Sequence, residues 1–226
     1  MQTAWTNDFG WRIWRLLPDA RNTSIALELR DDEDRVQFAR VWFEDSPQVE
    51  TPAESKPFDA WVGLQANMQD ALLLGEWKDP QFPGITQYYK LPFPQGDIEP
   101  LDAKTAQQLL YNQRLEVHLP FARNIERAEP TDAFLCAQDI LDAPLAPHYD
   151  ELQRDGVTLI SAYRILAKDP SGETPGLLQQ ELMVLEEDEL RFQTTLQTET
   201  RKYSLDPFSV MGEHLVYLQE QTTLGL

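Results

Sequence analysis

The residues best suited to chemistry are four consecutive ones, His148, Tyr149, Asp150 and Glu151. They place an imidazole, a phenol and two carboxylates together, and a general base needs such a group with a pKa shifted by its neighbours. The same residues also suit a turn in which Asp150 caps a short helix, and we favour that interpretation. We keep the four residues as candidates for a surface site, together with Trp5, which precedes the first predicted strand. The sequence assigns no catalytic residue.

The three histidines give no metal motif. His118, His148 and His214 lie far apart in the sequence and form none of the short-spaced pairs typical of zinc sites. The acidic runs at residues 31–34 and 186–189 supply oxygen ligands, but residues 31–34 do not follow the spacing of a calcium-binding loop. Solvated hairpin tips explain both runs, and such tips also hinder edge-to-edge aggregation. We therefore predict no bound metal.

Two other features argue against familiar cofactor and nucleophile chemistry. Cys136 has apolar neighbours and no cationic residue near it in sequence, which favours an inert thiol over a reactive one. The glycines are scattered and form no loop that cradles a phosphate. The sequence thus predicts no cofactor.

Composition limits the partners of the chain. Its 226 residues include 38 acidic and 19 basic ones, which gives a formal net charge of −19. Such a field repels phosphate backbones and disfavours anionic membrane surfaces, so we predict no binding to nucleic acid. No run of residues approaches the ~20 apolar residues that a membrane helix requires, so we predict no membrane insertion. A single cysteine and an N-terminal sequence without the features of a signal peptide favour the cytoplasm.

Alternation of apolar and polar residues predicts strands through most of the chain. The clearest are Phe9–Leu17, a hairpin of residues 24–30 and 35–43 about the acidic tip, then Ala60–Gln65, Asp70–Trp77 and Ile85–Leu91. Gly156–Asp169 follows, and Gly176–Leu226 reads as an antiparallel meander. Residues 44–58 are predicted to form an exposed loop, and the prolines between residues 80 and 100 predict short or edge strands.

Two segments leave alternatives open. Residues 102–112 suit a short helix capped by Asp102, yet residues 107–121 also suit a hairpin, which we rank slightly higher. Residues 138–154 are predicted to be irregular with a short helix. Four of the tryptophans, which are Trp14, Trp42, Trp61 and Trp77, lie in strand patterns, and we assign most of them to the core.

The sequence predicts an all-β protein made of antiparallel meanders, with at most a few short helices. A loose recurrence of paired strands, roughly 40 residues long, is how propeller blades are built, so we expect an incomplete or distorted β-propeller-like fold. No change in composition marks a linker, and we predict one domain over residues 1–226.

Several stretches together resemble a family of bacterial proteins known only as a domain of unknown function. The resemblance rests on short segments in the same order along the chain, which are Trp11–Asp19, Ile25–Phe38, Trp61–Leu64, Ala71–Trp77, Pro147–Glu151 and Phe208–Leu224. It implies propeller-type blade patterns and carries over no activity or site residue.

Three functional interpretations follow. The first is a non-enzymatic β protein that binds another protein or joins an assembly, because long loops and strand edges occur without catalytic motifs. The second is a small-molecule or carbohydrate binder, with carboxylates available for hydrolysis. The third is a metal-dependent enzyme that uses the three histidines. The oligomeric state is left open.

Overall fold

The structure is a computed structural model that describes most of the chain. The described residues are 5–43, 47–52, 58–59, 61–77, 84–85, 87–93, 95–116, 123–124, 130–170, 176–201, 203, 208–211 and 214–225. The chain divides into two compact units, Phe9–His118 and a second unit made of Met1–Asp8 with Leu119–Leu226. The single domain over residues 1–226 stays a prediction. Each unit is described by itself.

The unit Phe9–His118 contains two four-stranded antiparallel sheets and a helix. One sheet has the order β2-β3-β4-β5, and the other has the order β6-β7-β8-β9, so each is a simple meander. The strands are β2 (Arg12–Pro18), β3 (Ser24–Arg30), β4 (Val36–Trp42), β5 (Gln48–Glu50), β6 (Val62–Asn67), β7 (Ala71–Glu76), β8 (Gln87–Pro92) and β9 (Glu99–Leu101), and the helix is α1 (Ala103–Glu116).

The core of this unit lies between its two sheets. Strand β3 is buried on both faces except at its last residue, and β7 is nearly as buried. The main cluster joins apolar side chains of β3, β4, β6, β7 and β8 and includes Ala26, Val36, Phe38, Val62, Leu64, Leu72, Leu74 and Leu91. Continuous apolar runs of this kind are what strands covered on both faces require.

A buried cation fastens the two sheets of this unit together. The guanidinium of Arg40, in β4, donates to the carbonyl oxygens of Met68 (2.8 Å), Gln69 (3.1 Å) and Ala71 (3.1 Å) in and beside the β6–β7 turn. Its carbon lies 5.3 Å from the ring centroid of Trp42. Burial lowers the pKa of Arg40 from its ordinary value, and nearby carboxylates oppose that effect. Carbonyl oxygens and aromatic faces therefore replace most of its hydration.

The second unit also contains two antiparallel sheets and one helix. Its larger sheet has the order β10-β11-β12-β13-β14, and its smaller sheet has the order β1-β17-β16-β15. The strands are β1 (Thr6–Asp8), β10 (Arg123–Asn124), β11 (Leu145–Arg154), β12 (Val157–Ala167), β13 (Leu177–Glu186), β14 (Glu189–Thr200), β15 (Phe208–Met211), β16 (His214–Gln219) and β17 (Thr223–Gly225), and the helix is α2 (Asp132–Leu141).

The larger sheet of this unit is covered on both faces. On one face, α2 packs through Phe134, Ala137 and Leu141 against apolar residues that include Ile160 and Met183. On the other face, Leu159 and Leu182 pack against β15 and β16. Thr131 caps the start of α2, where its hydroxyl accepts from the Phe134 N–H, and Asp142 ends it in the left-handed conformation.

The hairpins of the larger sheet differ in how well their residues suit the turn. The β11–β12 turn places Asp155 and Gly156 at positive φ, which is the favoured chemistry of a tight hairpin. The β13–β14 turn places Glu187 (φ 50°) and Asp188 (φ 63°) in the same region with no glycine. Side chains with a Cβ are disfavoured there, so this turn stores backbone strain.

The predicted all-β class is confirmed, because antiparallel sheets dominate and the described residues contain two helices. A propeller-like arrangement stays a prediction. Two segment predictions are wrong: residues 103–116 form α1 instead of the preferred hairpin, and residues 138–154 contain the end of α2 and the long strand β11. Asp102 does cap α1 as predicted, since its carboxylate accepts from the Thr105 N–H at 3.0 Å.

Candidate functional site

The four adjacent residues that the sequence singled out do not form one site. All of them lie in β11, and successive side chains of a strand point to opposite faces of the sheet. Tyr149 and Glu151 lie on the face covered by α2, whereas Asp150 lies on the opposite face, beside its strand partner Ser161. The interpretation of Asp150 as a helix cap is wrong, because the segment is a strand.

Tyr149 and Glu151 support the start of α2. The Thr131 hydroxyl donates to Glu151 Oε2 at 2.7 Å, and the Thr131 N–H donates to the Tyr149 hydroxyl at 3.3 Å. The Tyr149 ring also stacks on Phe134, with ring centroids 4.6 Å apart. Both side chains are buried, so the expectation that they lie at the surface is wrong. Their contacts give them a structural role.

The opposite face carries a buried polar row and an aromatic cluster. Gln180 donates to the Ser161 hydroxyl at 2.9 Å, and Asp150 lies buried beside Ser161, so Asp150 also departs from the predicted surface position. His148 is half-buried and stacks on Tyr203 at 4.3 Å between ring centroids. Burial raises the pKa of Tyr203.

The remaining candidates are also separated. Trp5, which lies just before β1, is half-buried, whereas the sequence predicted an exposed side chain. Of the histidines, His118 lies outside the described residues, and His148 and His214 occupy β11 and β16. No group of three or more His, Cys, Asp or Glu side chains within the described ranges could hold a metal ion.

Two buried glutamates of the larger sheet, Glu151 and Glu181, have separate hydrogen-bond partners. Glu151 accepts from Thr131 and Gln153, whereas Glu181 on β13 accepts from Gln179 and from Thr195 of β14. Each carboxylate is thus directed to its own set of neutral donors. These contacts give both carboxylates a role in fixing neighbouring side chains.

Exposed tryptophans in the unit Phe9–His118 define a different candidate site. Trp14 is 53% exposed and Trp61 is 50% exposed, although the sequence assigned most strand tryptophans to the core. The pairing of β2 with β3 shifts register between Ile13 and Arg15, so Trp14 is the extra residue of a bulge. Bulges redirect side chains, which explains why Trp14 faces solvent next to the buried Ile13.

Arginines surround the Trp14 ring. The guanidinium carbon of Arg12 lies 4.9 Å from the ring centroid, and that of Arg30 lies 5.0 Å from it. At exposed sites each cation–π contact of this kind contributes about 0.5–1 kcal/mol, which favours this orientation of the ring. Arg15, the next residue, is exposed and donates to the carbonyl of Leu64. We call Arg12, Trp14, Arg15 and Arg30 the Trp14 surface.

A buried carboxylate supports this surface from below. Glu28 accepts from Arg30 through Nε at 2.9 Å and Nη2 at 2.7 Å, and its second oxygen accepts from the Leu64 N–H at 2.8 Å. Glu28 is almost completely buried. Because Leu64 lies in β6, one carboxylate fixes the arginine beside Trp14 and also joins the two sheets. The Trp14 surface therefore rests on a rigid base.

Trp61 is connected to the same network. Its carbonyl accepts from the Trp77 N–H at 2.9 Å, and the Trp77 ring covers Gly63, where a Cβ would lie only 2.9 Å from the ring. The same Cβ would lie 3.2 Å from Glu28 Oε2. Glycine at position 63 thus lets Trp77 and Glu28 approach β6 closely.

Sequence reasoning missed this surface because the alternation around Trp14 looks like that of a core strand. The available signal was the order Arg12, Ile13, Trp14, Arg15, because Trp14 and Arg15 are adjacent and break the alternation of polar and apolar residues. Comparison with known proteins adds no further guide, since no protein-family model and no curated protein matches the chain. None of the described helices has the length and apolar character to cross a membrane.

Proposed function

We propose that this chain is a non-enzymatic, cytoplasmic protein-binding component and that the Trp14 surface is its contact site. The observation that carries the proposal is an exposed tryptophan held in a fixed orientation by two arginines over a buried carboxylate. The low cysteine content supports the cytoplasm, and the acidic net charge disfavours nucleic acid as a partner. The proposal includes membership of the bacterial family of unknown function that the sequence resembles.

The residue types of the Trp14 surface are those that dominate protein interfaces. Tryptophan and arginine are enriched among residues whose truncation costs most binding energy. An anchor that is already held in place loses less conformational entropy on binding. Arg12 and Arg30 hold the Trp14 ring, and Glu28 holds Arg30, so the anchor is ordered before any partner arrives.

A carbohydrate ligand is the second candidate, favoured by the exposure of Trp14 and Trp61. Sugars stack on the flat face of an aromatic ring, but the guanidiniums of Arg12 and Arg30 already lie over the Trp14 ring. Trp61 has no such arginine contact in the described residues. Quenching of tryptophan fluorescence by a sugar, lost in Trp61→Ala and kept in Trp14→Ala, would favour this second function.

Comparative capture from the native cell tests the protein-binding proposal. Tagged wild-type protein, Trp14→Ala and Tyr111→Ala are used in parallel, because Tyr111 is 63% exposed on α1 and controls for loss of any exposed aromatic residue. We expect one partner to be retained by wild type and Tyr111→Ala and to be lost by Trp14→Ala. Identical sets of captured proteins for all three would contradict the proposal.

A further inference from the structure

The charges of the Trp14 surface differ from those of the rest of the chain. Arg12 lies within 4.0 Å of no carboxylate in the described residues, and Arg15 donates to a neutral carbonyl. Of its three arginines, Arg30 pairs with a carboxylate, that of Glu28. Arg12 and Arg15 have no carboxylate partner among the residues that the structure describes, although acidic residues outnumber basic ones two to one in the sequence.

Other arginines of the described chain show what a paired arginine looks like here. Arg35 lies 2.6 Å from Asp31, and Arg191 lies 2.9 Å from Glu186 and 3.0 Å from Glu189. Arg12 instead lies over the ring of an exposed tryptophan and is itself exposed. An arginine in this state presents parallel N–H donors that match the two oxygens of a carboxylate.

Building on the proposed protein-binding function, we propose that the Trp14 surface recognises an acidic segment of the partner protein. A carboxylate of the segment binds Arg12 through paired hydrogen bonds, and a neighbouring apolar side chain packs on the exposed part of Trp14. Arg12 and Trp14 thus each contact a group of matching chemistry.

The acidity of the chain makes this recognition selective. A net charge of −19 repels an acidic segment from most of the molecule. Charges more than about 8 Å away are largely screened at physiological salt, so the arginines dominate close to Trp14. The acidic segment is therefore disfavoured elsewhere and favoured at this one surface, which is how specificity arises from repulsion as well as attraction.

Fluorescence anisotropy of a labelled peptide of about twelve residues, alternating glutamate with leucine and proline, tests this inference on the full chain. A second peptide with glutamine in place of glutamate is the neutral control. Arg12→Gln is compared with Arg21→Gln, which removes the same charge from another exposed position. A salt-matched single-stranded oligonucleotide is the competing anion. Circular dichroism confirms that each variant folds.

We expect the glutamate peptide to bind wild type and Arg21→Gln alike, and Arg12→Gln to weaken binding about tenfold or more. Trp14→Ala should weaken it similarly. Equal affinity for the glutamine peptide, equal effects of the two arginine variants, or tighter binding of the oligonucleotide would each overturn the inference. If the wild type does not bind the peptide while capture of a cellular partner still depends on Trp14, the acidic segment is refuted and the protein-binding function stands.

Discussion

Replacement of Glu28 by glutamine should weaken the network beneath Trp14 without changing its shape. One carboxylate oxygen accepts from Arg30 Nε and Nη2, and the other accepts from the Leu64 N–H. A glutamine offers one acceptor and one NH₂ group. In either orientation of the amide, a donor therefore faces a donor, either at Arg30 or at Leu64.

The size of the effect follows from burial. Removing one member of a buried ion pair costs about 3–5 kcal/mol because the other charge stays desolvated. The side chain of Arg30 is 14% exposed, so water solvates part of the unpaired guanidinium. The expected cost therefore lies at the lower end of this range. An unsatisfied buried N–H adds about 1–3 kcal/mol if the amide turns the other way. We expect a loss of about 3 kcal/mol in the free energy of unfolding.

Urea unfolding followed by tryptophan fluorescence measures the loss of stability in the unit that contains Glu28, Phe9–His118. Five of the six tryptophans, Trp11, Trp14, Trp42, Trp61 and Trp77, lie within Phe9–His118. Glu33→Gln is the matched control, because Glu33 is exposed and its carboxylate lies 3.5 Å from Arg35. Exposed pairs of this kind contribute under about 1 kcal/mol.

The reasoning is refuted if Glu28→Gln unfolds within about 1 kcal/mol of the wild type with an unchanged urea dependence. That result would mean that water or a rearranged side chain satisfies Arg30 and the Leu64 N–H. A loss equal to that of Glu33→Gln would lead to the same conclusion.

Three further predictions follow from the described contacts. Arg40→Lys should lower the free energy of unfolding by about 2–4 kcal/mol, because an ammonium cannot reproduce the planar fork of N–H groups that bonds three carbonyls. Urea unfolding measures the loss, and a loss under about 1 kcal/mol would contradict the prediction. Asp188→Gly should raise stability by about 0.5–1 kcal/mol by relieving positive φ, whereas Gly156→Asp should lower it in a thermal melt; stabilisation by both would refute the turn account. The hydrogen bonds from Thr105 hold the pKa of Asp102 below its ordinary value of 3.8, so its support of α1 is present above about pH 4 and lost as pH falls through the lower folded value. Helical circular dichroism of Asp102→Ala should thus be weaker at neutral pH and change less on acidification.

The alternation of apolar residues predicted most strands correctly because burial of one or both sheet faces leaves a period of two in the sequence. Helix α1 was ranked below the hairpin for the opposite reason. Among the residues of α1 whose burial the structure describes, Ala106 alone is fully buried and Leu109 and Leu110 are half-buried, so the helical period is weak. The cap at Asp102 was the better signal, since its hydrogen bonds are local and need no core.

The candidate site was predicted wrongly because the segment was taken for a turn. The face of a sheet to which each side chain points can be assigned only when the segment is known to be a strand. His148 to Glu151 look like one chemical cluster if they form a turn, but a strand directs Tyr149 and Asp150 to opposite sides. The position of Trp14 depends on a bulge defined by pairing with β3. Such register information is non-local, so composition and spacing placed this tryptophan in the core.

Site-specific photo-crosslinking in the native cell tests the central claim most directly. A photoreactive phenylalanine derivative replaces either Arg15, which keeps the Trp14 anchor in place, or the control Tyr111, both of which are exposed in the same unit. We predict a discrete adduct with another protein from position 15 and none from position 111. No adduct from position 15, or the same adducts from both positions, would contradict the claim that the Trp14 surface is where this chain binds its partner.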